Sequence, residues 1–159
     1  MRAKSYDERY ISQVPAIEVL KKLGYIYLSP EKVNQIRDNQ HDVLLRSILE
    51  EKLKELNSYE YKGQIYEFSE TNIHQAIRDL DEPLTSGLVR TNEAIYETLL
   101  NGRSYTEFLP DGSKKSFTIQ YIDWKNIENN VFHVVEEFEV ERMDGRGKVR
   151  PDIVLFVNG

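Results

Sequence analysis

Apolar positions recur at helical spacing through the first two-thirds of the chain and change to strict alternation after about residue 104. Asp7 to Gln13 can form a turn or two of helix before Pro15 interrupts or restarts it. Pro15 to Leu23 reads as a helix with Ile17, Leu20 and Leu23 on one side and Gly24 as its stop. Tyr25 to Leu28 is a short extended piece, and Ser29-Pro30 is a cap and first-turn pair for the next helix. Helical spacing continues from Asn39 to Leu56, from Ser69 to Leu80 (Ile73, Ala76, Ile77 and Leu80 on one stripe) and from Leu88 to Leu100, closed by Gly102.

The second pattern has a period of two. Tyr105 to Leu109, the turn Pro110-Asp111-Gly112-Ser113 and Lys115 to Ile122 read as a hairpin. Val131 to Arg142 reads as one long strand with Phe132, Val134, Phe138 and Val140 on a common face. A turn at Asp144 to Gly147 leads to a last strand, Val149 to Val157. Its Ile153 to Val157 run is apolar on both faces, which predicts a buried strand at the centre of a covered sheet. Asn158-Gly159 then has the composition of a type I′ hairpin turn. No return strand follows it, so the sequence is expected to be cut through a hairpin. That leaves an apolar strand edge, expected to be covered by a neighbouring chain or a local rearrangement.

These patterns predict an α/β fold: a mixed sheet from the β-rich half, about residues 104–159, flanked by helices from the helical half, about residues 1–103. The 159 residues suffice for a core of their own. With 40% hydrophobic and 30% charged residues the chain is of the ordinary globular class, and no apolar run is long enough to span a membrane. The absence of cysteine excludes disulfides, thiolate zinc sites and a cysteine nucleophile, and suits a cytoplasmic location. A net charge of −6 argues against a free-standing DNA-binding protein, because phosphate contacts need clustered cations. The nearest approach to such a cluster is Arg142, Arg146, Lys148 and Arg150 around a turn, which reads first as a solvated loop.

Asp152 is the sharpest candidate for chemistry. It follows Pro151 at the start of an apolar strand, where a carboxylate is costly unless it is paired or holds a metal. Hard cations such as Mg²⁺ take one or two such oxygens from protein. The simpler role is structural, with Asp152 bonded to Arg150 or to a backbone N–H. Glu136, Glu137 and Glu139 form an acidic run that reads as a solvated or helix-covered edge, one of which could approach Asp152. Glu50-Glu51-Lys52 and Asp123-Trp124-Lys125 fit an acidic-x-Lys triplet by letter, the first within a helix and the second ahead of Asp152, and both read as chance matches. His41, His74 and His133 have no zinc-ligand spacing, and Gly145-Arg146-Gly147-Lys148 lacks the spacing and the following helix of a phosphate loop.

The string from Arg150 to Gly159 resembles the nuclease domain at the N-terminus of the DNA-cleaving subunit of type I restriction enzymes. Gln13 to Ala16, Leu20 to Tyr25 and Asn129 to Val135 are similar to the same family, as is Leu84 to Tyr105 less specifically. The resemblance implies the PD-(D/E)xK nuclease fold, incomplete at the C-terminus of this sequence, and Mg²⁺-dependent hydrolysis of double-stranded DNA. It implies Asp152 as a metal ligand, and Glu8 on the first helix as a second acid pointing toward the metal, with Asp7 and Glu18 as rivals. A further acidic residue and a lysine would lie across the Asn158-Gly159 turn, the acid about 13 positions after Asp152. It also implies an ATP-driven motor after this domain, methyltransferase and specificity subunits as partners, and no cleavage by these 159 residues alone. The alternative is a non-enzymatic interaction module in which Asp152 is structural.

Overall fold

The computed structural model describes residues 12–81, 87–142 and 145–159. In chain order the elements begin with α1 (Val14–Lys22), β1 (Ile26–Leu28), α2 (Pro30–Ile36), α3 (Arg46–Leu56), β2 (Ser58–Tyr61) and β3 (Gln64–Glu67). They continue with α4 (Glu70–Leu80), α5 (Leu88–Asn101), β4 (Arg103–Phe108) and β5 (Lys114–Ile119). A 3₁₀ turn (Ile127–Asn129), β6 (Phe132–Glu136), β7 (Val140–Glu141), β8 (Lys148–Val149) and β9 (Ile153–Val157) complete them. Helices and a mixed sheet make this an α/β fold, as the periodicity predicts. Among the described residues no helix is long and apolar enough to cross a membrane.

The chain forms two compact units. Among the described residues, the first joins the segment from Ser12 to Leu45 with Val131–Val157 and Gly159. Its sheet has the order β1-β6-β9, with β1 parallel and β9 antiparallel to the central β6. Register places Tyr27, Phe132, Val134, Glu136, Ile153, Leu155 and Val157 on one face, and Ile26, Leu28, His133, Val135, Val154 and Phe156 on the other. Val134 and Val135 are fully buried at the centre, and α2 packs on β6 with its buried Val33. Ser29 caps α2 as expected, its Oγ accepting from Lys32 N at 3.3 Å. Gly24 ends the first helical segment with φ of +99°, a conformation that glycine adopts without steric cost.

Two strand expectations are corrected in this unit. The long strand Val131 to Arg142 is broken after Glu136, because Glu137 takes a left-handed φ of +51° and strand geometry resumes only at Val140. Opposite it, pairing lapses between Val149 and Ile153, where Pro151 has no N–H to donate. Three residues separate the β6–β9 and β7–β8 ladders on each side, so the register runs through unshifted. The result is one long hairpin with a window in its ladder. Secondly, β9 is not the fully covered strand expected; among the described residues it pairs with β6 alone, which agrees with the strand edge expected beside it. Leu155 is 47% and Val157 38% exposed on one face, while Phe156 on the other is buried.

The second unit comprises Arg46–Asn130 and Asn158. Here α3 packs on α4, and α4 on the β4–β5 hairpin, around Leu49, Leu53, Ile73, Ala76, Ile77 and Ile119. Each of these buried leucines and isoleucines contributes about 1.5–3 kcal/mol relative to exposure. The β4–β5 hairpin agrees closely with its expected position. Gly102 is required before it: φ is +73°, and a Cβ there would stand 2.5 Å from the Ile119 carbonyl oxygen. The helix expected over Asn39 to Leu56 begins only at Arg46. Upstream, within the first unit, Asn39 turns the chain instead, its Oδ1 accepting from His41 N and Asp42 N. The β2–β3 hairpin lies in the half read as helical.

Candidate metal centre

Asp152 stands in the ladder window, directly before β9. It is exposed rather than buried at the start of a strand, which corrects the expectation of a costly interior carboxylate. Its backbone is held: the Glu137 N–H donates to the Asp152 carbonyl at 3.0 Å. Its carboxylate has no hydrogen bond or ion pair among the described residues. Arg150, the partner that a structural role would use, lies 3.8 Å from Glu137 Oε2 instead.

The acidic run divides into three environments. Glu136 is only 3% exposed, contrary to the solvated reading, and its Oε1 accepts from the Tyr27 hydroxyl at 2.6 Å. Register explains the contact, because Tyr27 and Glu136 share one face of adjacent strands. They line a pocket of about 200 Å³ with Val14, Ile17, Glu18 and Lys21 of α1. Within it Lys21 bonds Glu18 at 2.8 Å, which together with the lysine's charge lowers the Glu18 pKa. Glu137 is the half-exposed pivot of the window. Glu139 pairs with Lys148, while its carbonyl accepts from Arg37 Nη1 at 2.8 Å. Arg37 thus replaces a lost ladder bond at the window's rim, with its guanidinium 4.4 Å from the Phe138 ring centre.

Glu8 lies outside the described residues. Among those that are described, no group of three or more acidic or histidine side chains is placed to hold a metal ion. Asp152 alone still fits the chemistry of a hard cation, because Mg²⁺ keeps several waters and uses one or two protein carboxylates with substrate phosphate. The two letter matches to an acidic-x-Lys triplet are occupied otherwise. Glu50 bonds Lys54 within α3, and Asp123 Oδ1 accepts from the backbone of Lys125 and Asn126. The Asn126 backbone bond, followed by the Asn129 side chain, leads the causes that lower the Asp123 pKa. The basic cluster is partly neutralised in the same hairpin, Lys148 by Glu139 and Arg150 by Glu137.

At the end of β9, Asn158 and Gly159 have φ of +61° and +96°, as both central positions of a type I′ turn require. Sequence reasoning singled out Asp152 as a candidate and read this turn. It missed Tyr27 as the partner of Glu136 and the left-handed Glu137. The first has a faint signal, a tyrosine in a short strand, and the second has none.

The family model for the type I restriction enzyme R protein N terminus matches residues 5–159. Two proteins of Methanocaldococcus jannaschii, named as putative type I restriction enzyme endonuclease subunits MjaIXP and MjaVIIIP, are also similar. The first is 32% identical over 163 aligned residues, which cover 99% of this chain and 15% of the relative. The second is 33% identical over 118, covering 73% of this chain and 10% of the relative. The chain therefore spans a small part of the length of the curated relatives it matches.

Proposed function

Since this chain belongs to the type I restriction enzyme R protein N-terminus family, we propose that it forms part of a Mg²⁺-dependent endonuclease domain. The substrate is double-stranded DNA, and the reaction is hydrolysis of a phosphodiester bond. The observation that carries this reading is the Asp152 carboxylate, exposed and unpartnered among the described residues on a backbone fixed by Glu137. A structural aspartate would be spent on a partner. This observation therefore disfavours the interaction module, in which Asp152 only holds the fold.

In this reading Asp152 and Glu8 are the metal ligands supplied by the chain. The family resemblance implies a further acidic residue and a lysine, and the type I′ geometry of Asn158-Gly159 would put them on a strand paired with β9, about 13 and 15 positions after Asp152. When bound, the ion would polarise the phosphate and acidify the attacking water. Asp152 supplies an oxygen ligand and negative charge, and the Glu137 N–H fixes the peptide that carries it. In the whole enzyme the domain would act with an ATP-driven motor and with methyltransferase and specificity subunits, and these 159 residues alone would not cleave DNA.

The test is Asp152→Ala in the complete subunit assembled with its partners. Mg²⁺-dependent cleavage should fall by at least about 100-fold, since even outer-shell partners of metal sites are worth 10–100-fold. ATP hydrolysis should persist. Unchanged cleavage would remove Asp152 from the site and the reading with it.

A further inference from the structure

We propose that Glu137 is a positioning residue for Asp152, acting through its left-handed backbone rather than through its carboxylate. The inference rests on the nuclease reading of Asp152. Three observations converge. Glu137 is one of only three non-glycine residues with positive φ among those described, and it is the one that faces Asp152 across the hairpin. Its N–H makes the single backbone bond to Asp152 inside the window. The register on either side of the window is unshifted, so no inserted residue accounts for the lapse.

The physical consequence is specific. An extended Glu137 would carry the β6–β9 ladder on toward Pro151, with Asp152 as an ordinary ladder residue. A left-handed Glu137 makes one bond to Asp152 and turns away, leaving the peptide fixed and the carboxylate clear. Strain of this kind persists only where the surroundings impose it. Here Phe138 supplies the restraint. It is buried against Phe156 with ring centres 5.3 Å apart and capped by Arg37. The Arg150 ion pair contributes little, being 3.8 Å long and exposed.

The test compares Glu137→Gly, Glu137→Ala, Glu137→Gln and Glu137→Val in the complete assembled enzyme, with Asp152→Ala alongside. Glycine and valine both lack the carboxylate and differ in their tolerance of positive φ. Glu137→Gly, Glu137→Ala and Glu137→Gln should keep kcat within about threefold of the parent, since alanine and glutamine carry the same Cβ penalty as glutamate. Glu137→Val, whose branched Cβ tolerates positive φ less, should lose about fivefold or more with KM for DNA unchanged. Hydrogen exchange read by mass spectrometry on peptides spanning 134–155 should be faster in the valine variant than in the glycine variant. Glu137→Thr, with the same branched Cβ, decides if valine does not fold. Equal kcat and equal exchange for glycine and valine would overturn the proposal, as would loss of activity in Glu137→Gln or Glu137→Ala. If Asp152→Ala retains cleavage, the nuclease reading fails instead. Exchange then still reports whether Glu137 holds the Asp152 peptide.

Discussion

Asn158 has two tasks, and only one is visible in the sequence. Its position before Gly159 announces a turn, and its φ of +61° agrees. The second task depends on burial. The side chain is fully buried, and its Nδ2 donates to the Tyr121 carbonyl at 2.9 Å and to Asn130 Oδ1 at 2.8 Å. Asn130 is itself committed, its Oδ1 accepting from Asp123 N and its Nδ2 donating to the Asp123 carbonyl. Removing the Asn158 amide leaves buried acceptors short of a donor, at about 1–3 kcal/mol. Asn158→Gly should show that loss alone, and Asn158→Ala should lose about a further 1–2 kcal/mol from its left-handed backbone. Urea unfolding of the two variants measures the difference. Asp152 is the converse case. Pro151-Asp152 was legible as a candidate by letter, but its exposure was not, because that depends on a conformation at Glu137 that carries no sequence signature.

Elements with local signals were read well. Ser69 before α4 is such a signal, and its cap has a second layer that periodicity cannot reveal. Its Oγ accepts from Asn72 N at 3.4 Å and donates to Glu107 Oε1 at 3.0 Å. The same carboxylate oxygen accepts from Ser69 N and from Asn72 Nδ2. Glu107 is almost fully buried, so α4 is tied to β4 through a charge held by three donors. Ser69→Ala should cost about 1–2 kcal/mol, at the upper end for a capping residue. Ser69→Asp should not rescue it, since a second carboxylate would face Glu107. A fall in the urea midpoint for both variants checks this. The β2–β3 hairpin was missed because its turn, Lys62-Gly63, puts a lysine at a φ of +49° where asparagine would have announced it. The long strand Val131 to Arg142 was read as continuous because alternation survives the window. Only Pro151 on the opposite strand hinted at a gap.

At the scale of the whole chain, element type suggested a helical half and a β-rich half, whereas contacts join residues up to 45 with 131–157. The parallel pairing of β1 with β6 is responsible, and a local pattern cannot reveal a partner a hundred residues away. The two units carry titratable groups of opposite consequence. In the first, His133 is buried on the central strand with its Nδ1 unpartnered among the described residues, and burial holds its pKa below the usual 6.5. As pH falls through 6.5 the unfolded chain takes up a proton that the fold resists, so stability is lost on the acid side. In the second, the Tyr105 hydroxyl bonds Asp79 at 2.7 Å and Tyr121 at 2.9 Å, and the Tyr121 hydroxyl bonds the Ala76 carbonyl. Burial raises both phenols, Tyr121 from 10.0 to about 12. Below pH 10 folded and unfolded states are both protonated and this stabilisation is intact. Between about 10 and 12 only the unfolded chain ionises, so stability falls as pH rises. Trp124 is the sole tryptophan and belongs to the second unit, so its fluorescence follows the alkaline loss. His133→Phe should weaken the acid-side loss of protection in β6 by hydrogen exchange and leave the alkaline transition of Trp124 in place. Tyr105→Phe should alter the alkaline transition while the acid-side exchange of β6 stays as it was. Either substitution moving both limits equally would assign the pH dependence to groups other than these.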